Sequence, residues 1–166
     1  MATTQKITSN LWFDKQAEEA VKYYLTIFRN SRINRMSYYG KEGHDIHKMP
    51  EGMIMTIDFE LEGSNFTALN GGPVFKFNEA VSFVINCDSQ EEIDYYWDKL
   101  TAGGDERAQQ CGWLKDKFGV SWQVVPTILA DMQTGNNSEK TERVMKAMMQ
   151  MKKLNIDALE KAYEGR

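Results

Sequence analysis

The 166-residue chain has little cysteine: Cys87 and Cys111 only, with no CxxC pair. That excludes a disulfide framework and the usual thiolate zinc sites. Both thiols are expected to be reduced, as in a cytoplasmic protein, and to behave as small apolar side chains. Histidine is equally scarce, with His44 and His47 alone. Long apolar runs are missing too: no stretch nears the ~20 residues that cross a bilayer, and the first residues carry no apolar signal region. Neither membrane insertion nor export is expected. There is no clustered lysine and arginine, and a formal net charge of −4 opposes a phosphate-backbone partner. Nucleic acid is not an expected partner.

What is present is an ordinary globular composition, 42% hydrophobic and 27% charged. At this length one domain, or two fused half-domains, can bury a core without staples. Residues 7–13 are β-rich and short. A helical pattern then runs to Phe28, with Ala17, Ala20, Val21, Tyr24 and Phe28 recurring at three- and four-residue spacing. Asp14 is the expected N-cap. Residues 31–39 read as a strand and 40–52, rich in glycine and charge, as a loop. Residues 53–61 and 66–70 read as strands around a hairpin turn at 62–65. Gly71-Gly72-Pro73 breaks the pattern.

The same order restarts near residue 79. Residues 80–87 form a strand, and Asp88 is expected to cap a helix running to about Ala102. Asp14-Lys15-Gln16, Glu18-Glu19 and Tyr23-Tyr24 in the first stretch are matched by Asp88-Ser89-Gln90, Glu91-Glu92 and Tyr95-Tyr96 in the second. That is an internal repeat. Residues 111–125 supply the closing strands, with a turn at Lys117-Phe118-Gly119. From Thr127 the character changes: a turn at 135–138 with Ser138 as cap, a helix over 139–153, and another over 156–163 capped by Asp157. Val144, Met148 and Met151, with Met145 and Met149 beside them, give the first of these helices an apolar face.

Several strings resemble the PhnB-like family, often labelled 3-demethylubiquinone-9 3-methyltransferase-like, of the vicinal-oxygen-chelate (glyoxalase/bleomycin-resistance) superfamily. They are Leu11-Trp12-Phe13-Asp14, Ala68-Leu69-Asn70-Gly71-Gly72-Pro73, Phe75-Lys76-Phe77-Asn78-Glu79-Ala80, Cys111-Gly112-Trp113-Leu114-Lys115-Asp116 and residues 118–126. The resemblance implies an α+β fold of two βαβββ modules, residues 1–73 and 74–126, curling as one mixed sheet around a cavity. Residues 127–166 are then a C-terminal helical extension, and the family is commonly completed as a homodimer.

The resemblance also implies where a ligand would sit. Expected cavity residues are Ser9, Asn70, Phe75, Phe77, Trp113 and Gln123, a mixture of aromatic and amide groups that suits a small, flat, partly apolar molecule. Trp12 and Trp122 are assigned to the helix-side core. The superfamily's usual divalent metal needs histidine or carboxylate, and the corresponding positions offer Asn70, Gln123 and Glu79, a poor set for a transition metal. No metal cofactor is therefore expected, with Glu79 and Gln123 as the only weak candidates. The loop carrying His44, Asp45 and His47 is an alternative place for a metal or a base, although a solvated loop explains it as well. No S-adenosylmethionine site is found, because Gly71-Gly72-Pro73 cannot open a helix as a cofactor-binding turn must. The expected function is small-molecule binding; the alternative is a metal-dependent lyase, isomerase or dioxygenase of the same superfamily.

Overall fold

A computed structural model describes residues 5–134 and 138–166. The chain divides into two units, the first ending at Lys76 and the second beginning at Phe77. In the first, β1 (Ser9–Phe13), α1 (Ala17–Ile27), β2 (Ser31–Tyr38), β3 (Ile54–Leu61) and β4 (Ser64–Asn70) follow the βαβββ order, with a single helical turn α2 (His44–His47) in the loop before β3. The sheet runs β1-β4-β3-β2, parallel between β1 and β4 and antiparallel elsewhere. Glu62 and Gly63, both at positive φ (45° and 81°), close the β3–β4 hairpin in two residues, the turn whose twist matches paired strands.

Period two decides what each face of this sheet does. Leu11 and Phe13, Ile57, Phe59 and Leu61, and Phe66 and Ala68 are buried on one face, beneath the Ala17, Ala20, Val21, Tyr24 and Ile27 stripe of α1. The alternate residues point the other way. Trp12 is among these, not in the helix-side core as expected: it pairs with Leu69 across β1–β4, while its neighbours Leu11 and Phe13 take the helix face. Its indole N–H donates to the Gly72 carbonyl at 2.8 Å.

The second unit repeats this order with one strand fewer. β5 (Phe83–Cys87), α3 (Gln90–Thr101), β6 (Trp113–Lys115) and β7 (Ser121–Pro126) form a sheet ordered β5-β7-β6, again with the first strand parallel to the last. Among the described residues there is no counterpart of β2. Residues 103–110 lack the apolar alternation a strand needs and form a 3-10 turn at Glu106–Ala108 instead. Ile93, Trp97 and Leu100 of α3 are buried with Leu114, Trp122 and Val124. Trp122 thus occupies its expected core position, its N–H donating to the buried Asp116 carboxylate at 2.9 Å.

The helix caps differ from the sequence reading by one or two positions each. Gln16, not Asp14, holds the cap position of α1, and one Asp14 carboxylate oxygen is buried without a hydrogen-bond partner. Ser89, not Asp88, caps α3, accepting from the Glu92 N–H, while the Glu92 carboxylate accepts from the Asp88 N–H at 2.7 Å. The last helix, α6 (Ile156–Glu164), is capped by Asn155 accepting from Ala158 at 2.8 Å; Asp157 lies inside it and pairs with Lys161.

The extension holds a further helix not foreseen, α4 (Ile128–Thr134), and α5 (Ser138–Met148) stops five residues before its expected end. The expected turn and cap at 135–138 lie outside the described residues, save that Ser138 opens α5. Leu129, Met132, Val144, Leu154 and Leu159 form a core of their own, with Met148 and Met151 partly buried against it. Met145 and Met149 stay exposed. Backbone joins this core to the sheet: Cys111 and Gly112, just before β6, donate to the Met151 and Lys152 carbonyls at 2.8 Å each.

Candidate functional site

Each sheet is covered by its helix on one face. In the second unit the other face is set by the β7 residues Ser121, Gln123 and Val125, of which Ser121 is buried and the other two half-buried; they alternate with Trp122 and Val124 of the helix-side core. Trp113 lies opposite Gln123, and Lys115 opposite Ser121. Residues 77–82, which have no regular structure, run along this face. The Asn78 carbonyl accepts from the Ser121 hydroxyl at 3.3 Å, Ser82 Oγ accepts from Gln123 Nε2 at 2.9 Å, and the Glu79 carboxylate pairs with Lys115 Nζ. Phe77 lies beside Gly119. The structure therefore brings together Phe77, Glu79, Trp113 and Gln123 of the residues singled out from sequence. It adds Lys115 and Ser82, which were missed although they fall at alternating positions beside Trp113 and Gln123.

The charges here are unequal in exposure. Lys115 keeps only 21% of its side-chain surface exposed, against 59% for Glu79. The ammonium and its hydrogen bond hold the Glu79 carboxyl below the usual carboxylate range.

In the first unit the face turned away from α1 is polar over β2, the middle of β3 and the start of β4, with Trp12 and Leu69 at its β1–β4 end. Asp58 accepts from Arg35 Nη2 at 2.6 Å and Nε at 3.0 Å, and from the Thr67 hydroxyl at 2.8 Å. One strand-pair further, Ser37 and Thr56 share a hydroxyl hydrogen bond of 2.6 Å. Gln5, Thr8, Asn34, Arg35, Asp58 and Thr67 border an open depression of about 520 Å³. None of these was a sequence candidate. For Asp58 and Thr67 the signal was the alternation of polar with buried apolar residues in the middle of β3 and β4.

The remaining candidates lie elsewhere. Ser9 and Asn70 fall on the helix-covered face, since Ser9 pairs with Phe66 and Asn70 with Phe13. Asn70, only 2% exposed, is engaged with backbone: Oδ1 accepts from the Ala17 N–H that opens α1 (2.9 Å), and Nδ2 donates to the Ile54 carbonyl (2.9 Å). Phe75 is largely exposed and meets Trp12 edge-on at 5.0 Å. In the loop, His47 Nδ1 accepts from the Met49 N–H at 2.9 Å, so its Nε2 carries the proton shared with the Glu42 carbonyl at 3.2 Å. His44 lies 6.0 Å from it, ring to ring, and is exposed.

The divalent metal that the superfamily implies does not fit these residues. Among the described residues no three histidine, cysteine, aspartate or glutamate side chains are grouped to hold one. The amides and carboxylate at the expected positions are engaged with Ala17 and Ile54, with Ser82, and with Lys115. The methyl donor that the family label implies fits no better: Gly71 and Gly72 lead into residues 71–82, which contain no helix to receive it.

Three comparisons place this architecture among known proteins. A PhnB protein from Bacillus cereus, carrying the 3-demethylubiquinone-9 3-methyltransferase description, is 34% identical, with 74% of this chain and 100% of that one covered and a TM-score of 0.62. Protein PA1353 from Pseudomonas aeruginosa is 20% identical over 74% of this chain and 98% of its own, at a TM-score of 0.56. The fosfomycin resistance protein FosX from Listeria monocytogenes shares the fold at 15% identity, covering 79% and 97%, at a TM-score of 0.50. No curated protein matches the chain significantly. The model of the family described as 3-demethylubiquinone-9 3-methyltransferase matches residues 5–125 and leaves the helical extension outside. The chain belongs to that family, on the α+β scaffold of the glyoxalase/bleomycin-resistance proteins.

Proposed function

We propose that this protein binds a small organic molecule on its open sheet faces without a catalytic metal and without transferring a methyl group. The observation that supports this is the engagement of two of the expected oxygen donors: Asn70 Oδ1 holds the start of α1 and the Glu79 carboxylate is paired with Lys115, while Gln123 donates its amide nitrogen to Ser82. Ligating a transition metal through them would leave buried backbone groups or a lysine without partners, which costs about 1–3 kcal/mol for each neutral group. What the open faces offer instead is an indole, an amide, hydroxyls and paired charges, the furniture of an organic ligand site.

A thermal-shift screen against a metabolite panel and divalent cations tests this, since a ligand that binds only the native state raises the melting temperature. An organic hit with no metal requirement is the expected result. A stoichiometric metal retained by protein purified without an affinity tag, and lost in Gln123→Ala or Glu79→Ala, would reverse it in favour of a metal-dependent enzyme of the superfamily. We further propose a homodimer: Val81 and Val84 of the second unit are 69% and 50% exposed, apolar surface that a second copy of the chain would cover. Sedimentation showing a monomer at micromolar concentration would refute it.

A further inference from the structure

We infer that Lys115 is the anchor for an anionic group of the ligand, and that Glu79 occupies that anchor in the ligand-free protein as a displaceable latch. The inference rests on the small-molecule reading above and names its ligand class: a flat, aromatic carboxylate.

Lys115 stands on the open face of the second sheet with most of its side chain buried, 21% exposed. A lysine whose stem is packed into the fold favours an anion beside its head group, since a partly buried charge is screened less than one in open solvent. Its partner comes from outside the sheet. Glu79 sits on the irregular segment 77–82, keeps 59% of its side chain exposed, and belongs to no strand or helix that fixes its backbone. An incoming carboxylate can take its place at the cost of moving an exposed side chain.

The surroundings match the rest of such a ligand. Trp113 lies two residues from Lys115 on the same strand face, about 7 Å along the strand, near enough for one aromatic acid to stack on the indole and reach the ammonium. Gln123, opposite Trp113, and Ser82 supply a hydrogen-bonded pair whose members can turn to a ring substituent. Val125, next on that face, packs against the extension core.

The test uses 1-naphthoate and its neutral counterpart 1-naphthamide, titrated calorimetrically into the full-length protein at low ionic strength. Removing the latch charge with Glu79→Gln should tighten naphthoate binding about tenfold, equivalent to about 1.4 kcal/mol, and leave naphthamide unchanged. Lys115→Met should weaken naphthoate at least tenfold, while Lys115→Arg should retain it. Equal naphthoate affinity for wild type and Glu79→Gln overturns the inference even if Lys115→Met fails to fold. An equal gain for naphthamide, or binding of neither compound to any variant, overturns it as well. In all three cases a hit in the metabolite screen leaves the small-molecule reading standing, so the two failures are distinguishable.

Discussion

Asn70 shows how much one side chain can decide. It was legible in the sequence as a costly buried amide, but its partners were not, because the N–H it caps lies 53 residues away and cannot be read from any local pattern. Asn70→Ala should cost about 2–4 kcal/mol, since it strands a helix N–H and a strand carbonyl together; a urea midpoint shift worth under 1 kcal/mol would refute this role. Asn70→Asp keeps the acceptor for Ala17 but sets a second acceptor against the Ile54 carbonyl at a buried site, so it should not rescue the loss. Cys87 gives a second prediction. Burial, then the nearby charges of Glu92 and Asp88, push its thiol up to about 12, against ~8.5 in an unfolded chain. The folded state therefore keeps its proton where the unfolded state loses it. This contribution is complete below about pH 8.5 and lost as pH rises towards 12. The stability difference between wild type and Cys87→Ala should shift in the variant's favour over that window. A constant difference from pH 7 to 11 would disprove it.

At the level of elements, the strands that alternate cleanly were readable and those that do not were misread. β3 and β4 put apolar residues at every second place over most of their length, although the hairpin closes in two residues, Glu62-Gly63, where four were expected, and β4 starts at Ser64. β1 carries large apolar side chains at Leu11, Trp12 and Phe13 in succession, so period two could not say which of them turned away from the helix. The absent strand of the second module has a similar origin: resemblance supplied five elements, and the residues between α3 and β6 supported four. There Gly104 meets the Lys115 carbonyl so closely that an added Cβ would overlap it, and the neighbour is backbone that cannot swing aside. Gly104→Ala should therefore cost about 2–4 kcal/mol. Gly40→Ala, where a Cβ meets nothing within 4 Å, should stay within about 0.5 kcal/mol. Comparable melting temperatures for the two variants would refute the contrast.

For the whole molecule, the repeat was legible because the same local chemistry recurs 74 residues apart, as Asp14 and Asp88 show. The extension was legible as helices but not as part of the second unit, because its attachment is made through backbone. Two amides before β6 have their partners at Met151 and Lys152, and Gln90 of α3 bonds both the Leu154 carbonyl and the Ile156 N–H. Lys153 adds an ion pair to Asp94 of the same helix at 2.8 Å. A protein ending at Pro126 therefore loses partners on both β6's approach and α3, and exposes Val125. Hydrogen exchange followed by mass spectrometry should show faster exchange at residues 90–94 and 110–114, with β3 and β4 protected as in the full chain. Equal acceleration in β3 and β4 would mean that the extension stabilises the molecule globally, and unchanged exchange at 110–114 would mean that its carbonyls are not the partners that hold those amides.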